Sequence, residues 1–310
     1  MRLFFLLYLL CLLPMQSQAK ILQKTVNENS TQFDYSWQDH NHKMQTLSFT
    51  LPKTLINNKY RRFKRYDKDK AMNHIYKALL EQASTYNPRE VRVQFKQLYS
   101  QLSYTIKSKN KKKIIEVEQQ LKELENKTYL DFLEKHHYIQ FNTPWTGTKI
   151  KPNHHKFVIE GIDYLEPVTQ AIRESISVKK PRVLINFVLS WLQSIPYSTL
   201  ESRTESSDLG YYPPIRVIAQ NIGDCDSKMT LMAAIIKKIY PRLSVSLIYL
   251  PKHALIGFQL PILKSDKFTT INGLPYILAE PVGPAKYPLS EIADTSIGYI
   301  DAKSYFHELI

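Results

Sequence analysis

The stretch that most limits the possible folds of this chain is an apolar, helix-like run that begins at a cysteine. Residues 225–239 read CDSKMTLMAAIIKKI. The apolar side chains in this run recur at steps of three and four: Met229, Met232, Ala233, Ile236 and Ile239. Such spacing gathers them on one face of an α-helix, which then packs against the protein interior. We therefore expect a central core helix around which this part of the chain folds.

The position of Cys225 at the start of that helix favours a reactive thiol. Gly223 permits a sharp turn into the helix, and Asp224 is a suitable N-cap residue. A thiol in the first turn lies in the positive field of the helix N-terminus, which favours the thiolate, whereas the carboxylates of Asp224 and Asp226 oppose it. Three roles are open for Cys225, namely a buried inert residue, a partner in an intermolecular disulfide, and a reactive thiol.

The first 19 residues have the pattern of a cleavable secretory signal. They combine one arginine, an apolar run of about a dozen residues and the small-x-small ending Ser17-Gln18-Ala19. Cleavage after Ala19 would remove Cys11 and leave Cys225 as the single thiol of the mature chain. No later stretch approaches about 18 consecutive apolar residues, so we expect no transmembrane span. The expected location is outside the inner membrane, in the periplasm.

Composition indicates a folded, strongly basic protein. Hydrophobic residues make up 43% of the chain, and 8 glycines with 17 prolines argue against disorder. The 42 Lys and Arg against 28 Asp and Glu give a formal net charge of +14, which favours anionic partners. The basic residues concentrate in KYRRFKR (59–65) and KSKNKKK (107–113). A solvated surface is the simpler reading of such runs, and an acidic protein or an anionic surface is the alternative. Nucleic acid is not an expected partner of an exported protein.

The periodicity of the chain predicts four segments: a signal peptide (1–19), an N-terminal β-rich segment (20–68), a helical hairpin or arm (69–140) and a catalytic domain (144–310). The clearest strand of the β-rich segment is QTLSFTL (45–51). The arm is predicted to consist of helices with apolar faces at Met72, Ile75, Tyr76, Leu79 and Leu80, then at Val91, Phe95, Leu98, Leu102 and Ile106, then at Ile114, Val117, Leu121 and Leu124. In the last segment, KFVIEGI (156–162) predicts a strand, and YLEPVTQAIRESI and RVLINFVLSWLQSI predict helices.

Two residues downstream of the cysteine can complete a catalytic set. His253 begins a predicted strand after the Pro251-Lys252 corner, and Glu280 ends the strand that follows the Asn272-Gly273 hairpin turn. A cysteine at a helix start, a histidine on one strand and a carboxylate on its neighbour are the parts of a Cys-His-acid triad. In such a triad the carboxylate orients the imidazole, the imidazole takes the thiol proton, and the thiolate attacks an acyl carbon.

These three motifs, in this order, resemble the bacterial transglutaminase-like superfamily. The resemblance rests on GDCDSKMTLMAAII, then KHALIGF, then LAEP, with support from FVLSWLQSIPYS and YYPPIRVIAQN before the cysteine, and it covers about residues 150–300. It implies an α+β fold with a papain-like core, in which a cysteine-bearing helix packs on an antiparallel sheet. It also implies thiol acyl-transfer chemistry by Cys225, His253 and Glu280, with Glu in place of the commoner Asp.

The resemblance implies a secreted thiol enzyme that acts on peptide or amide bonds, either a cysteine peptidase or amidase or a transglutaminase-type acyltransferase. No cofactor is required for that chemistry. Some secreted members of the superfamily flank the cysteine with acidic calcium ligands, which would make Asp224 and Asp226 a calcium site; helix capping and salt bridging are the alternative roles of these residues. The competing function is a non-catalytic scaffold of the same fold that recognises a protein partner through the helical arm.

Overall fold

The computed structural model describes residues 22–98, 101–143, 147–200, 210–251 and 253–310. The chain forms an α+β fold whose strands lie in antiparallel sheets. The predicted signal peptide lies outside the described residues. Within the described ranges, no helix combines the length and the apolar character needed to cross a membrane.

The N-terminal segment forms a three-stranded sheet in the order β1-β2-β3, followed by a short helix. The elements are β1 (Leu22–Val26), β2 (Ser30–Gln38), β3 (Met44–Pro52) and α1 (Lys53–Asn58). Alternate residues of β2 and β3 are buried, so one face of this sheet packs inward.

The segment predicted as three helices instead contains two helices and a β-hairpin between them. Its elements are α2 (Lys68–Ser84), β4 (Arg92–Leu98), β5 (Gln101–Lys107) and α3 (Lys111–Lys135). The predicted helix through Val91 and Ile106 is therefore wrong. Apolar residues in this stretch also occur at every second position, including Val93 and Tyr104. This alternation places them on one face of the hairpin, and that face packs against the buried side of α2 and α3.

A second hairpin joins this segment to the rest of the chain. Its strands β6 (Tyr138–Thr143) and β7 (Gly147–Pro152) pair along their length, so the predicted boundary between residues 140 and 144 falls inside one supersecondary unit. The next element is a helix, α4 (His154–Tyr164), and the strand predicted over 156–162 is wrong. Asn153 caps this helix by accepting a hydrogen bond from the Lys156 N–H, and its buried residues recur at helical spacing.

Four further helices build the layer that carries the cysteine. They are α5 (Glu166–Ser175), α6 (Pro181–Ser194), α7 (Pro214–Gln220) and α8 (Cys225–Ile239). Helix α8 is buried from Ser227 to Ile236, which confirms the predicted central helix. Helices α4 and α8 approach so closely that a Cβ on Gly161 would lie 2.8 Å from the Cβ of Ala234.

A five-stranded antiparallel sheet lies against α8. Its strands are β8 (Val245–Leu250), β9 (His253–Phe258), β10 (Phe268–Ile271), β11 (Leu274–Ala279) and β12 (Phe306–Leu309), in the order β10-β11-β9-β8-β12, with α9 (Asp294–Asp301) before β12. Asn272 and Gly273 both have positive φ, 50° and 79°, as the predicted tight hairpin turn requires. The main core joins the N-terminal sheet, α6, α8 and this sheet in one cluster.

Candidate active site

Cys225, His253 and Glu280 meet in one hydrogen-bonded chain. The Sγ atom of Cys225 lies 2.8 Å from Nδ1 of His253, and Nε2 of the same ring lies 2.8 Å from Oε1 of Glu280. Cys225 is the first residue of α8, His253 is the first residue of β9, and Glu280 directly follows β11, the neighbour of β9 in the sheet. The structure thus brings together the three residues that the sequence predicts as catalytic.

The start of α8 leaves Cys225 partly exposed and fixes its backbone. The side chain of Asp224 caps the helix by accepting a hydrogen bond from the Ser227 N–H at 2.9 Å. Gly223 bonds through its backbone to Pro196 and Ser198, which holds the turn before the cysteine against the chain after α6. The N–H of Cys225 is at a helix start, where an amide has no acceptor within its own helix. It is available to a negatively charged oxygen beside the thiol.

The imidazole of His253 is set to carry a positive charge. Burial alone lowers the pKa of His253, but its hydrogen bonds to Cys225 and Glu280, together with their charges, outweigh that effect and raise the pKa to about 10. The ring is therefore an imidazolium that lies between the sulfur of Cys225 and the carboxylate of Glu280.

Glu280 is held from both sides. Its side chain is buried, and its second carboxylate oxygen, Oε2, accepts hydrogen bonds from the Ala293 N–H at 2.9 Å and the Ser296 hydroxyl at 3.5 Å. Burial by itself raises the pKa of Glu280, but the hydrogen bonds from His253 and Ala293 and the charge of His253 lower it below its ordinary value. The carboxylate therefore stays ionised beside the imidazole.

The backbone around Glu280 is fastened to α6. The Nε2 amide of Gln193 donates to the carbonyl oxygens of Glu280 and Tyr287, each at 2.9 Å. The chain then passes so near α6 at Gly283 that a Cβ there would overlap the backbone carbonyl of Gln193. Sequence reasoning missed Gln193, Gly283 and Ser296, because nothing local in the sequence relates them to Glu280.

A fully buried lysine lies one turn into the cysteine helix. Lys228 donates to the carbonyl oxygen of Ile195 at the end of α6. Burial lowers the pKa of Lys228 to about 8, although the negative charges of Cys225 and Asp224 act in the opposite direction. The side chain ties the start of α8 to the end of α6.

The two aspartates beside the cysteine are in different environments. Asp224 serves as the helix cap, whereas Asp226 Oδ2 faces Nε2 of His154 at 3.8 Å. The described residues contain no group of three or more His, Cys, Asp or Glu side chains that could hold a metal ion. Calcium at Asp224 and Asp226 stays a prediction. A melting temperature that calcium raises and EGTA restores, with little effect of magnesium, would support it.

The basic runs belong to other parts of the chain than Cys225, His253 and Glu280. In the first run, Tyr60 and Phe63 pack inward while Arg61, Arg62, Lys64 and Arg65 are exposed. In the second run, Lys111, Lys112 and Lys113 form the first turn of α3, where positive charge opposes the helix dipole. Both runs are on the surface, as solvated charge requires.

Comparisons of the chain with protein-family models, curated proteins and solved structures found no match.

Proposed function

We propose that this protein is a secreted thiol enzyme that cleaves or transfers acyl groups of peptide or amide bonds through Cys225, His253 and Glu280. The observation that carries the proposal is the pair of 2.8 Å contacts on opposite nitrogens of the His253 ring. They match the roles of nucleophile, base and orienting carboxylate.

The first half of the proposed reaction forms a thioester. The proton of the Cys225 thiol is already on Nδ1 of His253 in the resting enzyme, and Sγ attacks the acyl carbon of the substrate as a thiolate. The carbonyl oxygen becomes an oxyanion that the N–H of Cys225 can stabilise at the start of α8. The C–N bond then breaks as the Nδ1 proton of His253 moves to the leaving amine, which leaves an acyl group on Sγ.

The second half returns the enzyme to its starting state. Water or an amine attacks the thioester carbon while Nδ1 of His253 takes its proton, and the C–S bond breaks to release Sγ as a thiolate beside the imidazolium. Water gives hydrolysis and an amine gives transamidation. Both outcomes use the same acyl-enzyme and differ only in the acceptor that reaches it.

The arrangement around the cysteine also supports a papain-like core of the transglutaminase-like type. A helix that begins with the nucleophile packs on an antiparallel sheet whose adjacent strands supply the base and the acid. A non-catalytic scaffold would not need Glu280 to be buried and bonded through both carboxylate oxygens in register with His253. The exposed basic runs suit an acidic protein or an anionic surface as the partner.

A short peptide p-nitrophenyl ester tests the proposal without knowledge of the natural substrate. We expect a burst of nitrophenolate, then slower turnover, and an acyl adduct on Cys225 that mass spectrometry detects after an acid quench. Cys225→Ala should abolish the adduct and His253→Ala should slow its formation about a hundredfold or more. His155→Ala, at an exposed histidine of α4, is the matched control. Acylation that is equally fast without His253 would favour the scaffold.

A further inference from the structure

One end of the molecule exposes a group of large aliphatic side chains. This end is built from three segments: 176–183, which joins α5 to α6, 239–244, which joins α8 to β8, and 259–268, which joins β9 to β10. The exposed fractions of its aliphatic residues lie between 39% and 55%: Val178, Val183, Ile262 and Leu263. A group of exposed apolar side chains indicates a contact surface.

Hydrogen bonds hold the three segments together. The hydroxyl of Tyr240 donates to the carbonyl oxygen of Lys179 at 3.1 Å, which joins the first two segments. The guanidinium of Arg182 donates to the Pro261 carbonyl and to the carboxylate of Asp266, which joins the first segment to the third. The three segments therefore form one surface, which we call the end face.

The charges of the end face are almost all positive. Its three segments contain six basic residues and one acidic residue, Asp266, which forms an ion pair with Arg182. Within the described ranges, the other five cations are exposed and form no ion pair: Lys179, Lys180, Arg242, Lys264 and Lys267. The end face is thus both apolar and cationic.

This combination favours a lipid surface over a protein partner. Four of the five exposed cations are lysines, which are depleted from protein–protein interfaces. Val178 is followed by Lys179, and Leu263 by Lys264. An aliphatic group that enters the acyl region of a bilayer therefore has an ammonium next to it that can stay at the level of the headgroups.

An open pocket on the end face has the same character. It has a volume of about 450 Å³ and is lined by Pro181 and residues 239–243. Its lining is largely apolar, and Arg242 supplies a positive charge there. Apolar acyl chains beneath a layer of phosphates match both parts of this lining.

The end face lies at the opposite end of the cysteine helix from the candidate active site. Helix α8 begins at Cys225 and ends at Ile239, and β9 likewise begins at His253 and ends at Phe258, beside the end face. A helix of 15 residues is about 22 Å long. A protein docked through the end face would hold Cys225 on the side away from the bilayer.

We propose that the end face docks this protein on a bilayer that contains anionic phospholipids. The five exposed cations lie at the level of the headgroup phosphates, and the four aliphatic side chains enter the upper acyl region. This inference goes beyond the proposed function and does not depend on it. It also concerns a different surface from the basic runs at 59–65 and 107–113.

Tryptophan reporters test the docking in the mature chain, residues 20–310. Leu263→Trp places an indole on the end face. Ile115→Trp is the matched control, because Ile115 is 67% exposed and lies beside the lysines at 111–113. With brominated vesicles that contain phosphatidylglycerol, we expect Leu263→Trp to lose more fluorescence than the unmodified chain does. Ile115→Trp should show no such additional loss.

Sedimentation with vesicles measures the contribution of each kind of side chain. Ile262→Ser combined with Leu263→Ser should weaken binding to phosphatidylglycerol vesicles about tenfold or more, because it removes the apolar contact. Lys264→Gln combined with Lys267→Gln should weaken it about tenfold. Arg61→Gln combined with Arg62→Gln removes the same charge from the first basic run and should have a smaller effect. Vesicles of phosphatidylcholine alone should bind less of the protein.

The outcomes separate the end face from other surfaces. Additional quenching of Ile115→Trp instead of Leu263→Trp would assign the docking to the second basic run and overturn the proposal. Absence of binding to anionic vesicles would also overturn it and would favour an acidic protein as the partner. Binding that the two serine substitutions leave unchanged would reduce the contact to surface charge and contradict the insertion.

Alkylation of Cys225 tests the orientation of the docked protein. Its rate with iodoacetamide should be the same with and without anionic vesicles, since the site faces away from the bilayer. A rate that the vesicles suppress would place the thiol against the lipid and contradict docking through the end face.

Discussion

The two nitrogens of the His253 ring contact different side chains. Nδ1 faces the sulfur of Cys225, whereas Nε2 is committed to Glu280 and fixes the plane of the ring. Glu280 is in turn held by the Ala293 N–H. In this series of hydrogen bonds, we therefore expect a proton to move only between His253 and Cys225.

Alkylation of Cys225 should be fast at pH 6 and nearly constant up to pH 9. The pKa of His253 is raised to about 10, so the imidazolium is present throughout this range and is lost only as the pH rises through that value. A free cysteine, with a pKa near 8.5, would instead react more than tenfold more slowly at pH 6 than at pH 9. The measurement is the iodoacetamide rate as a function of pH.

The pH dependence of the iodoacetamide rate should differ in the His253→Ala variant. Without the imidazolium, the rate should rise with pH in the manner of an ordinary thiol. A rate in the unmodified protein that increases only above pH 8 would contradict the ion pair.

Glu280→Gln should reduce the rate of Cys225 acylation about tenfold. This loss is smaller than the loss expected for His253→Ala. The amide can still accept from His253 through its oxygen, but it removes the negative charge and turns an NH₂ group toward the Ala293 N–H. Nitrophenolate release from the peptide ester is the measurement. Glu291→Gln, at an exposed glutamate of the same segment, should have no effect. A loss as complete as that of Cys225→Ala would assign Glu280 a larger role.

At the scale of single residues, the sequence predicts Cys225, His253 and Glu280 but not the residues that hold Glu280 in place. Cys225, His253 and Glu280 each lie at the end of a strongly patterned helix or strand, so local pattern places them. Gln193 and Ser296 reach Glu280 only through the folded chain.

Among the elements, the segment after β11 lies in close contact with the backbone of α6 at Gly283. Gly283→Ala should destabilise the protein by about 1–3 kcal/mol, because the new methyl group would overlap the carbonyl of Gln193 and push this segment away from α6. Urea unfolding gives the stability, and nitrophenolate release reports the displacement of Glu280.

Gly298→Ala is the matched control. Gly298 lies within α9, and nothing lies within 4 Å of a Cβ added there. Alanine should stabilise this helix by up to about 1 kcal/mol. Equal effects of the two substitutions would show that the contact with Gln193 does not constrain the segment.

The errors of sequence reasoning at the element scale share one physical origin. Apolar residues at steps of three and four between Val91 and Ile106 fit a helix, yet Val93 and Tyr104 complete an alternation that fits strands. In the opposite sense, KFVIEGI has strand-like composition, but Asn153 caps a helix and the packing of Gly161 against Ala234 fixes it. Where the apolar pattern of a short segment fits both a helix and a strand, its tertiary contacts decide which of the two forms.

For the whole molecule, the N-terminal sheet completes the core on which the cysteine helix depends. Trp37 donates its indole N–H to the Ser190 hydroxyl at 3.0 Å, and the ring of Tyr35 meets Trp191 edge-on at 5.2 Å. These are contacts between β2 and α6. In the same way, Phe63 packs on Phe157 of α4. The part of the chain that carries Cys225, His253 and Glu280 is therefore covered by residues from outside it.

A fragment of residues 147–310 should fail to fold cooperatively, because it would expose the apolar surfaces of α4 and α6 that the N-terminal segment buries. Chemical unfolding of this fragment beside residues 20–310, followed by tryptophan fluorescence, is the measurement. A sharp transition in the fragment, with alkylation of Cys225 as fast as in the longer chain, would contradict this and restore the division near residue 144.

In the loop of the first basic run, the aromatic residues pack against the protein and the basic residues are exposed. Tyr60, Phe63 and Tyr66 recur every third residue and pack against the protein, so the arginines and the lysine between them project from a backbone that they do not help to hold. Neutral substitutions at Arg61, Arg62, Lys64 and Arg65 would lower the formal charge of the chain by four without removing a buried contact. The positive charge of this loop can therefore be removed one residue at a time without a change in the residues that hold Cys225, His253 and Glu280.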